Sequence, residues 1–465
     1  MESVKLKVVK VPFNIKDAQN NSYTAVELIG EGAQGKTYLL EGGKYIAKLF
    51  QKNGRRESMR STVNYLINLG LNKRCYAVPL REVVAPAGGY IAEFASGMMP
   101  LSELKWTEEV GSLSAWYEKT GGTQRIYAIL ANLAYMLRSL HSQGLTYCDL
   151  SPNNIFVSRN TDSNAVFMID MDNVRHKTGI VTNVYTPFYG APEVSTFKAP
   201  NTPMSDSFSF AVIAYELLTL SHPLIGDYVS EGEPEMEEKA LRGEIPWVED
   251  SNDAINSCST GFSSSVFVTP VLNNLFHKVF EEGLNCPDKR PDMYEWHDAL
   301  CESMNNLLLC PHCKIFYPYD SQHKCTLCET QPKKVSHISM KCWNDLGGED
   351  SKFGLYDKVW EDIVIDDNTP KILTSEHFLS SGSEVPEKLL ELRMYDVKDG
   401  KAQISLTPLN NNEFYLYMQS GQPFRLPRFS SPIKVSINPA SSRENKLMLA
   451  TRELGDGFQR VMTID

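Results

Sequence analysis

The stretch Leu140-His-Ser-Gln-Gly-Leu-Thr-Tyr-Cys-Asp149-Leu-Ser-Pro-Asn-Asn154-Ile-Phe-Val157 decides how the rest of the chain is read. An aspartate followed five positions later by an asparagine sets a proton-accepting carboxylate and an amide oxygen on one loop. The apolar periodicity of Ile126–His141 predicts a helix before that loop, and Ile155-Phe-Val157 predicts a strand after it. A second carboxylate follows directly on the apolar run Val166-Phe-Met-Ile-Asp170-Met-Asp172, where it joins the Asn154 oxygen as a hard ligand for a cation such as magnesium.

Upstream, Ile29-Gly30-Glu-Gly32-Ala-Gln-Gly35 lies between two predicted strands. Missing side chains there let backbone N–H groups approach a phosphate chain. Alone the pattern is weak, since a plain glycine hairpin reads the same way. A dinucleotide-binding fold would need a helix to follow at once, and here a strand follows. In Tyr45-Ile-Ala-Lys48-Leu-Phe50, strand alternation puts Lys48 on one face with Ile46 and Phe50. A lysine on an apolar face seeks an anion, the alternative being a surface lysine that snorkels. Glu57 is the acid available to orient it, at the start of a short helix carrying Met59, Val63 and Leu66 and ending at Gly70; an exposed first-turn glutamate is the competing reading. Downstream come Thr186-Pro-Phe-Tyr-Gly-Ala-Pro-Glu193, Asp206 at the head of an apolar helix, and Asp288-Lys-Arg290-Pro.

In this order the motifs over about residues 24–305 resemble the eukaryotic-like protein kinases. The resemblance implies an α+β, bilobal kinase fold, β-rich to about residue 95 and α-rich from about 101. It implies ATP bound with Lys48 on its phosphates, Asp149 as the catalytic acceptor of a hydroxyl proton, and Asn154 and Asp170 as Mg2+ ligands. Ile29, Gly30, Gly32 and Gly35 would cover the nucleotide, with Glu57 pairing with Lys48. Glu93 and Ala95 would hold adenine at the hinge beside a small gatekeeper, Ala92. Glu193 would pair with Arg290. The chain departs from the family at Tyr147-Cys148-Asp149-Leu150-Ser151, which lacks the usual arginine and lysine, and at Asp172, which stands where a glycine is usual. A missing arginine argues for activity independent of activation-loop phosphorylation, since no guanidinium there can pair with a phosphate.

Cys310-Pro-His-Cys313 and Cys325-Thr-Leu-Cys328 have the spacing of two zinc knuckles, a strong signal for a closed structural Zn2+ site of four thiolates, with His312 or His323 in place of one thiolate as the variant. A kinase domain followed by such a ribbon resembles, more loosely, bacterial kinases of tellurite-resistance and stress operons. That likeness implies a von Willebrand-type domain protein and a metal-dependent phosphatase as partners. Beyond residue 333 the runs Leu389–Val397, Ala402–Leu409, Glu413–Met418, Ile433–Ile437, Lys446–Ala450 and Gln459–Thr463 predict a small all-β domain, with Asp399-Gly400 favouring a hairpin. The expected layout is an N-terminal extension (1–23), a kinase domain (24–305), a zinc ribbon (306–332) and a β domain (333–465).

The net charge of -11 and the lack of a basic block argue against a nucleic-acid partner. No stretch approaches the roughly 18 apolar residues of a membrane helix, and residues 1–16 lack a signal core, so the expectation is a cytoplasmic protein with no membrane partner. Ten cysteines in a chain of 465 residues do not suggest a disulfide scaffold. The sequence thus predicts a serine/threonine kinase acting on a protein substrate chosen by the ribbon and β modules. A nucleotide-binding pseudokinase scaffold is the alternative, and Ser151 leaves transfer to another kind of acceptor open.

Overall fold

Short apolar runs with a two-residue period dominate the N-terminal hundred residues, and in the computed structural model they close a barrel. Its strands are β1 (Phe13–Asp17), β2 (Ser22–Glu31), β3 (Gly35–Leu40), β4 (Tyr45–Phe50), β5 (Arg81–Ala85) and β6 (Gly89–Glu93). They run β1-β2-β3-β4-β6-β5, and β1 pairs with β5 to complete the ring. The structure describes residues 11–464 apart from 33–34, 52–55, 106–111, 177–182, 320–323, 333–334, 346–354, 368, 379–386, 399–400, 410–412, 418–422, 427–431, 438–446 and 452–456. The chain divides into two units, one of Met1–Gly121, Arg125–Phe262 and Asn273–His297, the other of Gly122–Gln124, Ser263–Leu272 and Asp298–Asp465.

Alternation sorts the barrel residues into two cores. Ile15, Ala25, Tyr38, Leu40, Ala47, Leu49, Val83 and Ile91 fill the interior. The other face of β4 and β6 carries Ile46, Phe50, Tyr90 and Ala92, which pack with Val63 of helix α1 (Arg56–Leu69) and with Phe167. Lys48 belongs to this second face, as the alternation of β4 requires. Strand β1 lies inside the segment expected to be an N-terminal extension. It is instead a barrel stave, with Ile15 fully buried.

Two glycines make the close pairing around Lys48 possible. A Cβ on Gly89 would lie 2.0 Å from the Lys48 carbonyl oxygen, and one on Gly35 would lie 2.3 Å from that of Leu49. The third glycine of the loop motif is thus demanded by strand packing whether or not a ligand is bound.

After the barrel come β7 (Met98–Pro100), α2 (Leu113–Thr120), α3 (Gly122–Ser142), β8 (Leu145–Thr146), β9 (Ile155–Ser158), β10 (Val166–Met168) and β11 (Arg175–His176). Strands β7, β9 and β10 form one small sheet and β8 pairs with β11, so the loops holding Asp149 and Asp170 are clamped at both ends. The remaining helices are α4 (Pro192–Ser195), α5 (Pro203–Thr219), α6 (Asp227–Ser230), α7 (Pro234–Leu241), α8 (Ser264–Phe267), α9 (Pro270–His277) and α10 (Met293–Asn305). Thr202 caps α5 through the Ser205 amide, ahead of Pro203 at the first helical position. Tyr215, Trp247, Phe276, Phe280 and Trp296 pack around α5 as an aromatic core.

The apolar periodicity of Asp292–Leu309 predicts a single helix, and α10 is shorter than that. It ends at Asn305, and Leu307–Leu309 leave it as strand β12, paired with β13 (Phe316–Pro318). Leu308 then packs with Cys310, Tyr317 and Cys325, so burial in a neighbouring core overrides local helix propensity.

The β region forms two sheets. Strands β14 (Val335–Asp345), β15 (Leu355–Asp366), β19 (Phe414–Tyr417), β20 (Pro423–Leu426), β22 (Leu447–Ala450) and β23 (Gly457–Ile464) are ordered β15-β14-β23-β22-β19-β20. The second sheet contains β16 (Lys371–Thr374), β17 (Lys388–Lys398), β18 (Lys401–Pro408) and β21 (Ile433–Ile437), with the short helix α11 (Ser375–Phe378) after β16. Residues of both sheets, among them Ile365, Leu392, Ile404, Phe414 and Met462, share one core, the signature of a sandwich. Strands β17 and β18 pair down to Lys398 opposite Lys401, and the expected turn residues Asp399-Gly400 lie outside the described residues.

Gly89→Ala is expected to lower stability by about 1–3 kcal/mol, because the added methyl forces β6 away from β4. Equilibrium urea unfolding of the purified variant checks this.

Candidate active site

Asp206, in the first turn of α5, organises the loop that carries Asp149. It is buried, and it accepts hydrogen bonds from the Tyr147 amide at 2.7 Å, the Cys148 amide at 3.0 Å and His141 Nε2 at 2.9 Å. Cys148 takes a positive φ of 74°, an uncommon conformation for a residue with a side chain. Its carbonyl accepts from Asn201 Nδ2 at 3.2 Å, so side chains hold this turn from both sides. Tyr147 donates through its hydroxyl to the Ile169 carbonyl, tying the loop to the residue before Asp170. Burial, then the charges of Asp170, Asp149, Asp172 and Asp206, push the Tyr147 phenol far above its usual range and keep it neutral.

Both carboxylate oxygens of Asp149 are engaged. Thr186 Oγ1 donates to Oδ1 at 2.8 Å and Asn173 Nδ2 donates to Oδ2 at 3.3 Å. Asn154 Nδ2 donates to the Asp149 backbone carbonyl at 2.9 Å, which makes Oδ1 the polar atom its amide can still offer a cation. The sequence reading missed Thr186 and Asn173 as partners of Asp149. Thr186 was visible within the Thr-Pro-Phe-Tyr-Gly-Ala-Pro-Glu run, but nothing in the spacing tied its hydroxyl to a residue 37 positions away.

Lys48 is 5 % exposed. Its ammonium stands 2.9 Å from Asp172 Oδ1 and 3.1 Å from Asp170 Oδ1, and Tyr90 donates its hydroxyl to the same Asp172 oxygen at 2.9 Å. Burial disfavours the ammonium, but Asp172 and then Asp170 more than offset that and hold Lys48 above its ordinary value. Burial raises Asp170, against the pull of Lys48 and with the push of Asp172. Asp170 adopts a positive φ of 53° at the entry to the 3-10 turn Met171–Asn173. The expected partner of Lys48, Glu57, lies in the first turn of α1, but its side chain is outside the described residues.

The glycine loop is a hairpin between β2 and β3 in which Gly32 and Gly35 exchange backbone hydrogen bonds of 3.0 and 3.3 Å. Those two amides are thus spent on each other, and the tip residues 33–34 lie outside the described residues. Ile29 and Gly30 are in β2, with Ile29 exposed. At the hinge, Glu93 ends β6 opposite Tyr45, the Phe94 amide donates to the Lys44 carbonyl, and the Ala95 carbonyl accepts from the Met98 amide at 3.3 Å. Ala92 is fully buried among Phe50, Val63, Tyr90 and Phe167. Arg290 grips Glu193 with two parallel bonds of 2.7 and 2.8 Å and also donates to the Gly283 and Met204 carbonyls. This bidentate pair, with the Arg290 side chain fully buried, fixes α4 to the turn before α10.

In the other unit, the sulfurs of Cys310, Cys313, Cys325 and Cys328 lie within 4.8 Å of one another, with Cys310 to Cys328 at 3.5 Å and Cys313 to Cys325 at 3.7 Å. Tetrahedral thiolates at about 2.3 Å from a zinc ion would be about 3.8 Å apart, so the cluster fits that metal. The Thr330 hydroxyl, foremost, brings the Cys328 thiol down to about 5, whereas burial pushes Cys313 and Cys325 up.

Residues 23–273 match the family model described as "Protein kinase domain". The chain is 33% identical over 135 residues to "Serine/threonine-protein kinase dkf-2" of Caenorhabditis briggsae, covering 27% of this chain and 11% of that protein. It is 32% identical over 117 residues to "Serine/threonine-protein kinase Pkn1" of Myxococcus xanthus, covering 23% and 16%. It is 26% identical over 245 residues to human "Ribosomal protein S6 kinase alpha-3", covering 48% and 31%. The matched regions thus span at most a third of these relatives.

Asp206→Ala should cost at least about 2 kcal/mol of stability, since it leaves two backbone N–H groups of the Asp149 loop buried without an acceptor. Asp206→Asn, which keeps one acceptor oxygen, should cost less. Urea unfolding of the two variants side by side measures the difference.

Proposed function

Because the chain belongs to the protein kinase family, we propose that it transfers the γ-phosphate of Mg-ATP to a serine or threonine hydroxyl of a protein substrate. The observation that carries this reading is the pair of buried loops that bring Asp149, Asn154 and Asp170 together, with Lys48 seated on Asp170. In this reading Asp149 orients the acceptor hydroxyl and takes its proton, held at a fixed angle by Thr186 and Asn173. The buried Lys48 ammonium, kept charged by its carboxylates, grips the phosphates. The donor set suits a hard cation: Asn154 Oδ1 and the Asp170 carboxylate would hold Mg2+, which when bound neutralises charge on the phosphates. Asn173 supplies a donor to Asp149 in a catalytic loop where Ser151 replaces the usual lysine.

Cys148, in place of the usual arginine, supports activity that needs no phosphate on the activation segment. Its thiol is buried, and burial first, then Asp206, raises it so that it stays neutral. It offers no cation to a phosphate. Arg175 spends its guanidinium on the Asp172 and Val174 carbonyls at 2.5 and 2.9 Å.

A second reading, a nucleotide-binding scaffold, has one observation in its favour: both Asp149 oxygens already have donors. Incubation with γ-labelled ATP separates the two. Wild type is expected to incorporate label into itself or a protein acceptor, and Asp149→Ala to lose about 100-fold or more of that rate. Absence of label with either protein supports the scaffold.

The four cysteines are proposed to bind one structural Zn2+, with no open ligand position, and the ribbon and sandwich to choose the substrate, with a von Willebrand-type protein and a phosphatase as candidate partners in a cytoplasmic setting. Elemental analysis of the purified chain should find one zinc, and Cys325→Ser should lose it together with the cooperative unfolding of the second unit. One zinc retained by Cys325→Ser would exclude this ligand set.

A further inference from the structure

A buried ammonium that must receive phosphates needs a carboxylate that stays in place when the ligand arrives. Among the described residues two carboxylates touch Lys48, and they are not equivalent. The side chain of Asp170 is 35% exposed, while that of Asp172 is fully buried. Asp170 is also the residue assigned above to the cation, a task that competes with holding the lysine. Asp172 has no such second task. Its Oδ1 receives both Lys48 and the Tyr90 hydroxyl, and Tyr90 stands directly opposite Lys48 in the β4–β6 ladder. Lysine, tyrosine and aspartate thus form a closed triangle, two corners of which lie on one pair of strands. The other oxygen, Asp172 Oδ2, is buried with no hydrogen-bond partner among the described residues. An aspartate kept for the fold alone would have both oxygens satisfied, since a buried acceptor without a donor is a cost. That cost is intelligible where the residue serves the charge of its neighbour.

We infer that Asp172 is a positioning residue of Lys48, a carboxylate that holds the ammonium ready for nucleotide, on a segment where the sequence reading sought no partner for it. The consequence is mechanical. The anchor lies two residues from Asp170 on the same 3-10 turn, so the phosphate lysine and the cation carboxylate are set by one segment. The inference rests on the kinase reading for its purpose, but the pairing is readable from nucleotide binding alone.

The test is calorimetric titration of the full-length chain with Mg-ATP. Asp172→Asn is expected to weaken binding by about tenfold or more, as loss of a charged hydrogen-bond partner does. Glu57→Gln is expected to weaken it at least about fivefold less than Asp172→Asn. In the Lys48→Met background, Asp172→Asn should add less than about twofold, because a residue acting through Lys48 has nothing left to position. An effect of Asp172→Asn that is undiminished in that background, or a Glu57→Gln loss exceeding that of Asp172→Asn, overturns the inference. Should Asp172→Asn not fold, Tyr90→Phe removes only the hydroxyl that seats Asp172, and it is expected to weaken Mg-ATP about threefold. Unchanged affinity in Tyr90→Phe would then count against the proposal. A wild type that binds Mg-ATP but transfers no label sinks the kinase reading and leaves this test decisive, while a wild type that binds no Mg-ATP overturns both.

Discussion

The buried positive charge of Lys48 sets the demands on the strands and turn around it. An ammonium in an apolar interior is tolerable only when carboxylates stand beside it, and those carboxylates must in turn be held rigidly. Lys48 meets the requirement through Asp170 and Asp172, and Tyr90 holds Asp172. The glycine at position 89 brings β6 close enough for Tyr90 to face the lysine. The 3-10 turn after Asp170 brings the two aspartates to the same ammonium. Each feature follows from the need to keep one cation charged out of water.

The loop of Asp149 is governed by a similar constraint on backbone polarity. Its amides at Tyr147 and Cys148 are buried and turned away from any sheet partner, so a side chain must satisfy them, and Asp206 does so from the start of α5. Tyr147 carries the constraint onward to the carbonyl of Ile169, and Asn154 and Thr186 close the arrangement on Asp149. The Asp149 loop and the segment that carries Asp170 are therefore coupled through hydrogen bonds within the chain. This coupling is compatible with loss of the usual arginine, since the loop has its own internal support.

The second unit shows how a cysteine cluster and a sandwich can each supply a core where helix periodicity ends. The four thiols sit beside Leu308, Tyr317 and Val364, so the knuckles are packed as well as clustered. Lys371, at the start of β16, donates to the carbonyls of Met304, Asn305 and Leu307 and so satisfies acceptors freed at the end of α10. That contact explains physically why the chain can leave the helix there and begin a strand.

The sequence by itself determined the family-like order of motifs, the face of β4 on which Lys48 lies, the four clustered cysteines and the β17–β18 hairpin, because each depends on spacing along a single element or loop. Boundaries that depend on a distant partner were not legible. Strand β1 was set aside as an extension because only its pairing with β2 and β5 gives it a place. Leu307–Leu309 continued a helical pattern until Phe316–Pro318 claimed them. The partner of Lys48 was read from proximity along the chain as Glu57, whereas the carboxylates described beside it come from residues more than a hundred positions away. Spacing can place a charge on a face. Only tertiary packing decides which opposite charge, out of several in the chain, is brought within 3 Å of it and shielded from water.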